Sequence, residues 1–326
     1  MLDPPASESH PWPEPIRASD LCCKPAPEVV ALIGGILAVG GVAILSGPSK
    51  GRKTFTALDI AVSVASGADW LGLKTLKGTV LYLNFELSES TMHRRLESIC
   101  RARGVEAPAD MLIWNLRGRT IDAIGLGKRI ADLKMASTIA LIVLDPLYKI
   151  AANSGAEENS NDGQARLLSA LEGIARETGS ALLILHHFAK GNSSEKNAID
   201  RGSGAGALAR APDAVMTLTE HEDDEVMVLE AALRDFPPLA PMALRWAFPV
   251  WTADASVDTA KLKKKGGKPT THPAPSLLAK LTGGMSNVEW LAASGWSKTT
   301  YREKRDALTS AGTVEFRGGC YYEKTP

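Results

Sequence analysis

Short apolar runs alternate with segments of helical periodicity along most of the chain. The apolar runs are rich in branched residues and carry no internal charge, as expected for parallel strands buried on both faces. Strands are predicted at Thr79–Glu86, Met111–Trp114, Ile139–Leu144 and Ala181–Leu185, and helices at Thr54–Ser66, Ser88–Arg103, Ile124–Ala136 and Asp162–Thr178. This alternation predicts an α/β domain with a mainly parallel sheet covered on both faces.

The uncharged stretch from Val29 to Ser46 is 18 residues long and would pass a hydropathy criterion for a membrane helix. Four of these residues are glycines, and the stretch runs directly into a polar loop that must lie in water. It is therefore predicted to form a short helix, a Gly-Gly turn and a buried strand, and no membrane association is expected.

The pattern changes after Asp213, where three strand-like runs follow one another without an intervening helix. They lie at Ala214–Thr219, Val226–Leu233 and Met242–Phe248 and are separated by an acidic turn and a proline-rich turn. Strands joined by such short connections pair antiparallel. Antiparallel strands are therefore predicted at one edge of the sheet.

Changes of composition divide the chain into four predicted segments. Residues 1–27 form a proline-rich arm, 28–252 the α/β domain, 253–276 a basic linker and 277–326 a small second domain. In the last segment, helices are predicted at Asn287–Ala293 and Ser297–Leu308, followed by a hairpin around Gly318 and Gly319. This order of helix, turn, helix and hairpin predicts a winged-helix unit.

The chain is neutral overall, with 37 Lys and Arg and 37 Asp and Glu, but the charge is unevenly distributed. From Ser256 onward there are 12 basic and 6 acidic residues, so the preceding part has an excess of acid. A basic tail on an acidic body suggests a polyanion as partner. The basic residues are Lys261, Lys263, Lys264, Lys265, Lys268, Lys280, Lys298, Arg302, Lys304, Arg305, Arg317 and Lys324.

Overall composition excludes several protein classes. With 44% hydrophobic and 23% charged residues, the chain is neither disordered throughout nor collagen-like nor a coiled coil. The four cysteines include no CxxC pair and are too sparse for a disulfide scaffold. There is no basic segment of a secretory signal at the start, so a cytoplasmic location is expected.

The strongest local motif is GPSKGRKT, which follows a predicted strand and opens a predicted helix, as a phosphate-binding loop does. Lys53 is expected to reach the β and γ oxygens of ATP, and Thr54 to bind Mg²⁺. Arg52 occupies the position of the second glycine of the common pattern, and Gly51 precedes it. The predicted nucleotide-binding residues are Gly47, Pro48, Ser49, Lys50, Gly51, Arg52, Lys53, Thr54 and Phe55.

Two carboxylates end predicted strands near this loop. Asp145 follows the apolar run IALIVL, where a carboxylate can bind Mg²⁺ directly or through water; alone, it would be an ordinary turn residue. Glu86 ends the strand TVLYLNFE and is either a general base or a charge at the start of the next helix. His186 and His187 are adjacent on a strand, so they face opposite ways and do not share a metal ion.

Together, the motifs LNFELS, LIVLDPLYK, LHHFAKG, DRGSGAGALARAPDAVMTL and LRDFPP resemble, in this order after the phosphate loop, the RecA-like ATPases of the plasmid RepA replicative helicase type. This family is distantly similar to DnaB, and the likeness covers about Pro27 to Trp251. The resemblance implies a RecA-like fold and an ATP-driven ring, usually a hexamer, that acts on single-stranded DNA.

The same resemblance assigns roles to individual residues. It implies that Glu86 is the catalytic base, Asp145 the ligand of Mg²⁺ or its water, and His187 the sensor of the γ-phosphate. Arg234 would be the finger that reaches into a neighbouring subunit. Arg201 and Arg210 lie in the matching loop-and-helix region, without an assigned role.

The basic second helix of the small domain is the candidate contact with duplex DNA, through Lys298, Arg302, Lys304 and Arg305. A solvated helix face or a protein contact is the alternative. Three functions follow: an ATP-driven DNA motor in plasmid or phage replication, a DNA-bound regulator whose assembly is set by ATP, and a degenerate ATPase kept as a structural partner.

Overall fold

The computed structural model describes residues 14–151, 161–187, 210–263 and 274–324. The chain divides into two compact units, Met1–Lys264 and Lys265–Pro326. Of the residues discussed above, Arg201 lies outside the described ranges, as do residues 1–13 of the predicted arm and 264–273 of the predicted linker.

The first unit contains six helices and eleven strands within its described residues. The helices are α1 (Ala18–Cys22), α2 (Lys53–Ser66), α3 (Glu89–Arg103), α4 (Ala123–Ala131), α5 (Tyr148–Ala151) and α6 (Asn161–Thr178). The strands are β1 (Ala31–Ile33), β2 (Leu37–Ala38), β3 (Val42–Gly47), β4 (Thr79–Asn84), β5 (Met111–Asn115), β6 (Ile139–Asp145), β7 (Ala181–His187), β8 (Ala214–Glu220), β9 (Val226–Leu233), β10 (Met242–Ala247) and β11 (Val250–Ala253).

Nine of these strands form one sheet in the order β11-β10-β9-β8-β3-β7-β6-β4-β5. The pairs from β8 to β5 are parallel, and those from β8 to β11 are antiparallel. This confirms the predicted α/β class and the antiparallel edge. A large, mainly parallel sheet of this kind is consistent with a RecA-like fold.

Both faces of the sheet are buried, which explains why the strand sequences are continuously apolar. In β3, Ala43 and Leu45 belong to one apolar cluster, whereas Val42 and Ile44 belong to the other. Helix α2 packs on the first face, and α4 and α6 contribute to the cluster on the second. The carboxyl ends of the parallel strands consequently meet along one edge of the domain.

The stretch from Val29 to Ser46 differs from the sequence prediction in its first part. The expected helix is absent there, and β1 and β2 form an antiparallel hairpin before β3. Gly35 has a φ of 68°, which suits the tight turn between the two strands, and Ile33 and Leu37 pair while fully buried. None of the helices in the described residues is both long and apolar enough to cross a membrane.

Two other boundaries are corrected. Helix α4 ends at Ala131 rather than at Ala136, and a short 3₁₀ turn then leads into β6. Residues 254–263, predicted as the start of a linker, are held against the β8–β9 turn: the Lys263 amide donates to the Glu220 carbonyl at 2.8 Å. Buried His221 bonds through Nε2 to the Asp258 carbonyl at 2.9 Å, so this turn fixes the segment.

The second unit contains α7 (Ala274–Leu278), β12 (Met285–Ser286), α8 (Asn287–Ser294), α9 (Lys298–Ser310), β13 (Val314–Arg317) and β14 (Cys320–Glu323). Its three strands form a small antiparallel sheet in the order β12-β14-β13. Trp290 and Tyr301 are fully buried at its centre, with ring centroids 5.7 Å apart. The Ser297 hydroxyl accepts a hydrogen bond from the Thr300 amide at 3.2 Å and so caps α9.

Candidate nucleotide-binding site

The GPSKGRKT segment forms a turn between buried β3 and the start of α2. The chain approaches itself most closely at Gly51, where a Cβ atom would lie 2.9 Å from the Pro48 carbonyl oxygen. Arg52 adopts a left-handed conformation with a φ of 59°. The loop therefore keeps its indispensable small residue one position before the place that the common motif gives it.

Lys53 is the first residue of α2 and is almost completely buried. Its Nζ atom donates to the carbonyls of Gly47 at 3.0 Å and Pro48 at 2.8 Å. Burial lowers the pKa of Lys53 to about 8, although Asp145 and Glu86 oppose the shift. The ammonium group is thus charged at neutral pH and is held at the mouth of the loop, as an anion site requires.

Asp145 ends β6 and is 2% exposed. The Tyr82 hydroxyl donates to its carboxylate at 2.7 Å. Burial raises the pKa of Asp145 to about 6, while hydrogen bonds from Tyr82 and Thr54 act in the opposite direction. Above this pH the residue is a desolvated anion beside Thr54, and such a pair of oxygen ligands fits a divalent cation.

This cation site would need ligands from the nucleotide as well. Within the described residues, no group of three or more His, Cys, Asp and Glu side chains is placed to bind a metal ion. Thr54 and Asp145 both line a cavity of about 410 Å³ that is bounded by the phosphate loop. The residues present therefore fit Mg²⁺ that arrives with phosphate oxygens and water, as in phosphate-loop enzymes.

Strand β4 ends at Asn84 rather than at Glu86 as predicted, so Glu86 lies two residues beyond the strand, where it is exposed and lines the same cavity. Its backbone is fixed by Asn84, whose Oδ1 accepts hydrogen bonds from the amides of Glu86 at 3.3 Å and Leu87 at 2.8 Å. Asn84 is completely buried and was not singled out by the sequence analysis. The only signal in the sequence was a single asparagine inside the otherwise apolar run of the predicted strand, two residues before Glu86.

The two histidines occupy different environments, as their adjacent strand positions predict. His187 lines the cavity, and its Nδ1 accepts a hydrogen bond from the Lys53 ammonium group at 3.0 Å. His186 is buried, and this burial lowers its pKa to about 4. The structure thus brings His187, and not His186, to the phosphate loop.

Arg95 of α3 also lines the cavity and was missed by the sequence analysis. Its guanidinium carbon lies 4.5 Å from the ring centroid of Phe55, in a cation–π contact. The residue reaches the site because α3 packs beside α2, a long-range arrangement with no local sequence signature. It adds a further cation to a cavity that is also lined by Lys50, Arg52 and Lys53.

Arg52 is held by the antiparallel edge of the sheet. Its guanidinium forms an ion pair with Glu225 and lies 4.6 Å from the centroid of Trp246 and 5.5 Å from that of Trp251. Phe55 packs edge-on against Trp246 at 5.4 Å. The unusual arginine thus connects the phosphate loop to strands β10 and β11.

Arg234 lies away from this cavity in its own chain. Its guanidinium donates to Asp213 at 3.0 Å and to the Arg210 carbonyl at 2.7 Å. Asp213 also accepts from the amide of Val42, which begins β3, whereas the phosphate loop follows the other end of that strand. An action of Arg234 on a neighbouring subunit stays a prediction.

The four predicted DNA contacts of α9 fall into two groups. Lys298 and Arg302 are exposed. The side chains of Lys304 and Arg305 are only 15% and 17% exposed and pair with Glu303 and Asp306. Arg305 also donates to Asn287 at 2.6 Å, which ties α9 to α8. Arg305 therefore has a structural role in this unit.

Comparison with known proteins agrees with this geometry. Residues 10–193 match the family model described as an AAA domain. The Gene 65 protein of Mycobacterium phage D29 is 27% identical over 188 residues, which cover 56% of this chain and 81% of the phage protein. Because the family match includes the phosphate loop, Glu86 and Asp145, the chain belongs to the AAA domain family of phosphate-loop ATPases.

Proposed function

We propose that the protein hydrolyses ATP with Mg²⁺ and couples this reaction to work on DNA. The observation that supports it best is the convergence of Lys53, Asp145 and Glu86 on one cavity beside a phosphate-binding loop. Three groups of complementary function, from three separate elements, are the minimum that phosphoryl transfer to water requires.

Each group has a defined task in this proposal. Lys53 compensates charge on the β and γ oxygens, and His187 holds the Lys53 ammonium while facing the same space. Glu86 accepts a proton from the attacking water. Mg²⁺, when bound through Thr54 and Asp145, neutralises charge on the phosphates. Arg95 lies where it can approach the same phosphate oxygens.

The DNA part of the proposal rests on the second unit and on the resemblance to RepA-type helicases. The order of α8, α9 and the β13–β14 hairpin supports the proposal of a winged helix, and Lys298 and Arg302 present exposed charge on α9. We propose that this unit contacts duplex DNA and that the ATPase unit forms a ring, in which Arg234 acts on the neighbour. The similarity to a phage protein favours a role in phage or plasmid replication.

The Glu86→Gln variant tests the catalytic assignment. We expect it to bind ATP normally and to lose turnover by about 10²–10⁴-fold, because an amide cannot accept the proton from water. Binding is measured with a fluorescent ATP analogue and turnover by phosphate release, with and without single-stranded DNA. Glu89→Gln, an exposed glutamate at the start of α3, is the matched control.

Turnover that is stimulated by single-stranded DNA distinguishes a motor from the alternative, a DNA-bound regulator with negligible hydrolysis. Native mass with and without a non-hydrolysable ATP analogue then tests ring formation. Parallel loss of binding and turnover in Glu86→Gln would assign Glu86 a structural role.

A further inference from the structure

A second cavity, of about 390 Å³, lies at the end of the outermost strand of the parallel half of the sheet. It is separate from the nucleotide site and follows β5. Its lining combines one aromatic residue, two arginines and three residues without charge: Trp114, Arg119, Arg129, Leu116, Thr120 and Ile121. There is no carboxylate in this lining, although the unit as a whole is acidic.

The cations of this region are not used by the fold. Among the described residues, the side chains of Arg117, Arg119, Lys128 and Arg129 form no ion pair or hydrogen bond, and all four are exposed. Asp122, the acid nearest to Arg119 in sequence, instead accepts from the Gly125 amide to cap α4, and Asp132, the acid nearest to Arg129, forms no ion pair within the described residues. This concentration of unpaired positive charge around one cavity calls for an anionic partner.

Two arginines elsewhere in the same unit pair with acids, whereas Arg94 is exposed and forms no ion pair in the described part of the chain. Arg103 donates to both carboxylate oxygens of Asp59, and Arg101 pairs with Glu97 one helical turn away. Exposed arginines without an acid partner are therefore not confined to this region. Arg119 and Arg129 differ from the others because both line one cavity together with Trp114, and this grouping fits an anionic ligand.

We infer that this cavity binds single-stranded DNA, with a base stacked on Trp114 and the adjoining phosphates on Arg119 and Arg129. A half-buried indole flanked by guanidinium groups is the combination that recognises unpaired nucleotides. Arg117 and Lys128 are exposed neighbours in sequence of these arginines and add positive charge outside the cavity lining. This number of cations suits several successive phosphates of a DNA strand better than a single nucleotide. Duplex DNA has no free base face to offer.

The position of the cavity links this inference to ATP hydrolysis, and this link rests on the function proposed above. The Asn84 side chain donates to Asn115 at 2.9 Å, and the Asn84 carbonyl accepts from the Leu116 amide at 2.8 Å. The same side chain fixes the backbone of Glu86. Single-stranded DNA bound at the cavity would therefore contact the loop after β5. Asn84 is hydrogen-bonded both to this loop and to the backbone of Glu86, the proposed catalytic base.

The experiment measures binding of a fluorescein-labelled oligothymidylate to the full chain by anisotropy at several salt concentrations. Trp114→Leu should weaken binding by about 5- to 150-fold, which corresponds to the 1–3 kcal/mol of one stacked base. Trp114→Phe, which keeps an aromatic face, should restore most of this affinity. Binding of duplex DNA should be unchanged in both variants.

The arginines are tested by the double variant Arg119→Gln with Arg129→Gln. Loss of two phosphate contacts should reduce the steepness of the plot of log K against log salt concentration by about 1.4, because each contact with a single strand contributes about 0.7 to this slope. The matched control is Arg94→Gln with Arg101→Gln, since both residues are exposed on α3. DNA-independent ATP turnover should be unchanged in all these variants, and its stimulation by oligothymidylate should fall with affinity.

Three results would overturn the inference: no binding of the oligothymidylate to the wild-type chain, equal binding in Trp114→Leu and wild type, or displacement by polyglutamate as effective as by DNA. Failure of the proposed function is distinguishable. If the wild type binds DNA through this cavity without turning over ATP, the ATPase proposal falls and the binding site remains.

Discussion

The phosphate loop and helix α9 are both rich in cations, but the structure uses those cations in opposite ways. In the loop, Lys53 is buried and held by two carbonyls, and Arg52 is fixed by Glu225 and Trp246. In α9, Arg302 is exposed, whereas Arg305 is bound to Asn287 and Asp306. Availability of a charge for a ligand is thus decided by the partners that the fold places beside it, whether they are near in sequence, as Asp306 is to Arg305, or distant, as Glu225 is from Arg52.

The loop at the end of β5 gives a third case. Its Arg119 is exposed like Arg302, yet together with Arg129 of α4 it lines a cavity that also includes Trp114. Exposed charge on a smooth helix attracts a polyanion without selecting it, whereas a cavity with a stacking surface selects unpaired bases. The two surfaces are therefore expected to prefer duplex and single-stranded DNA, respectively.

The largest effect is expected from removal of the buried cation of the phosphate loop. Lys53→Ala should reduce ATP turnover by at least about 10²-fold, because the charge on the phosphate oxygens loses its main side-chain partner. Phosphate release at saturating ATP is the measurement. Lys74→Ala, which removes a lysine that is 87% exposed, should leave turnover unchanged. Near-normal turnover in a folded Lys53→Ala variant would refute the assignment of the loop.

A smaller effect is expected at Arg52, where the backbone and the side chain act in opposite directions. Arg52→Ala should lower the free energy of unfolding by about 1–2 kcal/mol, because the cation–π contact is lost. The cost of the left-handed backbone is not relieved, since alanine tolerates this conformation no better than arginine. Arg52→Gly should lose about 1 kcal/mol less, because glycine adopts this conformation without strain. Urea unfolding measures both, and ATP binding should persist in the glycine variant.

Lys50 supplies the control for that comparison. It has a φ of 63° and an exposed side chain, so Lys50→Gly should raise the free energy of unfolding by relief of strain alone. Equal stability of the alanine and glycine variants at Arg52 would show that the left-handed backbone there has no cost.

The smallest effect is expected in α9. The double variant Lys298→Gln with Arg302→Gln should make the salt dependence of duplex binding shallower by about 1.8, at 0.9 per phosphate contact, without loss of stability. Arg305→Gln should instead destabilise the second unit, because it breaks the bond to Asn287. Duplex binding at several salt concentrations measures the effect of the double variant, and thermal unfolding measures the effect of Arg305→Gln. An unchanged slope in the double variant would favour a protein contact.

Much of the candidate site could be predicted because its residues lie at the ends of regular elements. A parallel strand buried on both faces is recognisable from its own composition, and the residue that follows it lies at the edge where ligands bind. Asp145 and His187 end such strands, Glu86 lies two residues after β4, and Lys53 begins the helix after the phosphate loop. The structure brings all four to one cavity. Arg95 does not follow this rule, since it lies within a helix.

The sequence by itself determined the alternation of strands and helices in the parallel half of the sheet, the antiparallel edge, the phosphate loop, and the two longer helices and the hairpin of the second unit. These features depend on periodicity and on contacts between near neighbours, which the sequence states directly. Tertiary structure decided the remaining features: the hairpin before β3, the ordered segment after β11, and whether each arginine is paired or exposed. Arg52 and Glu225 are separated by 173 positions, and only the packing of β8, β9 and β10 beside the phosphate loop brings such partners together.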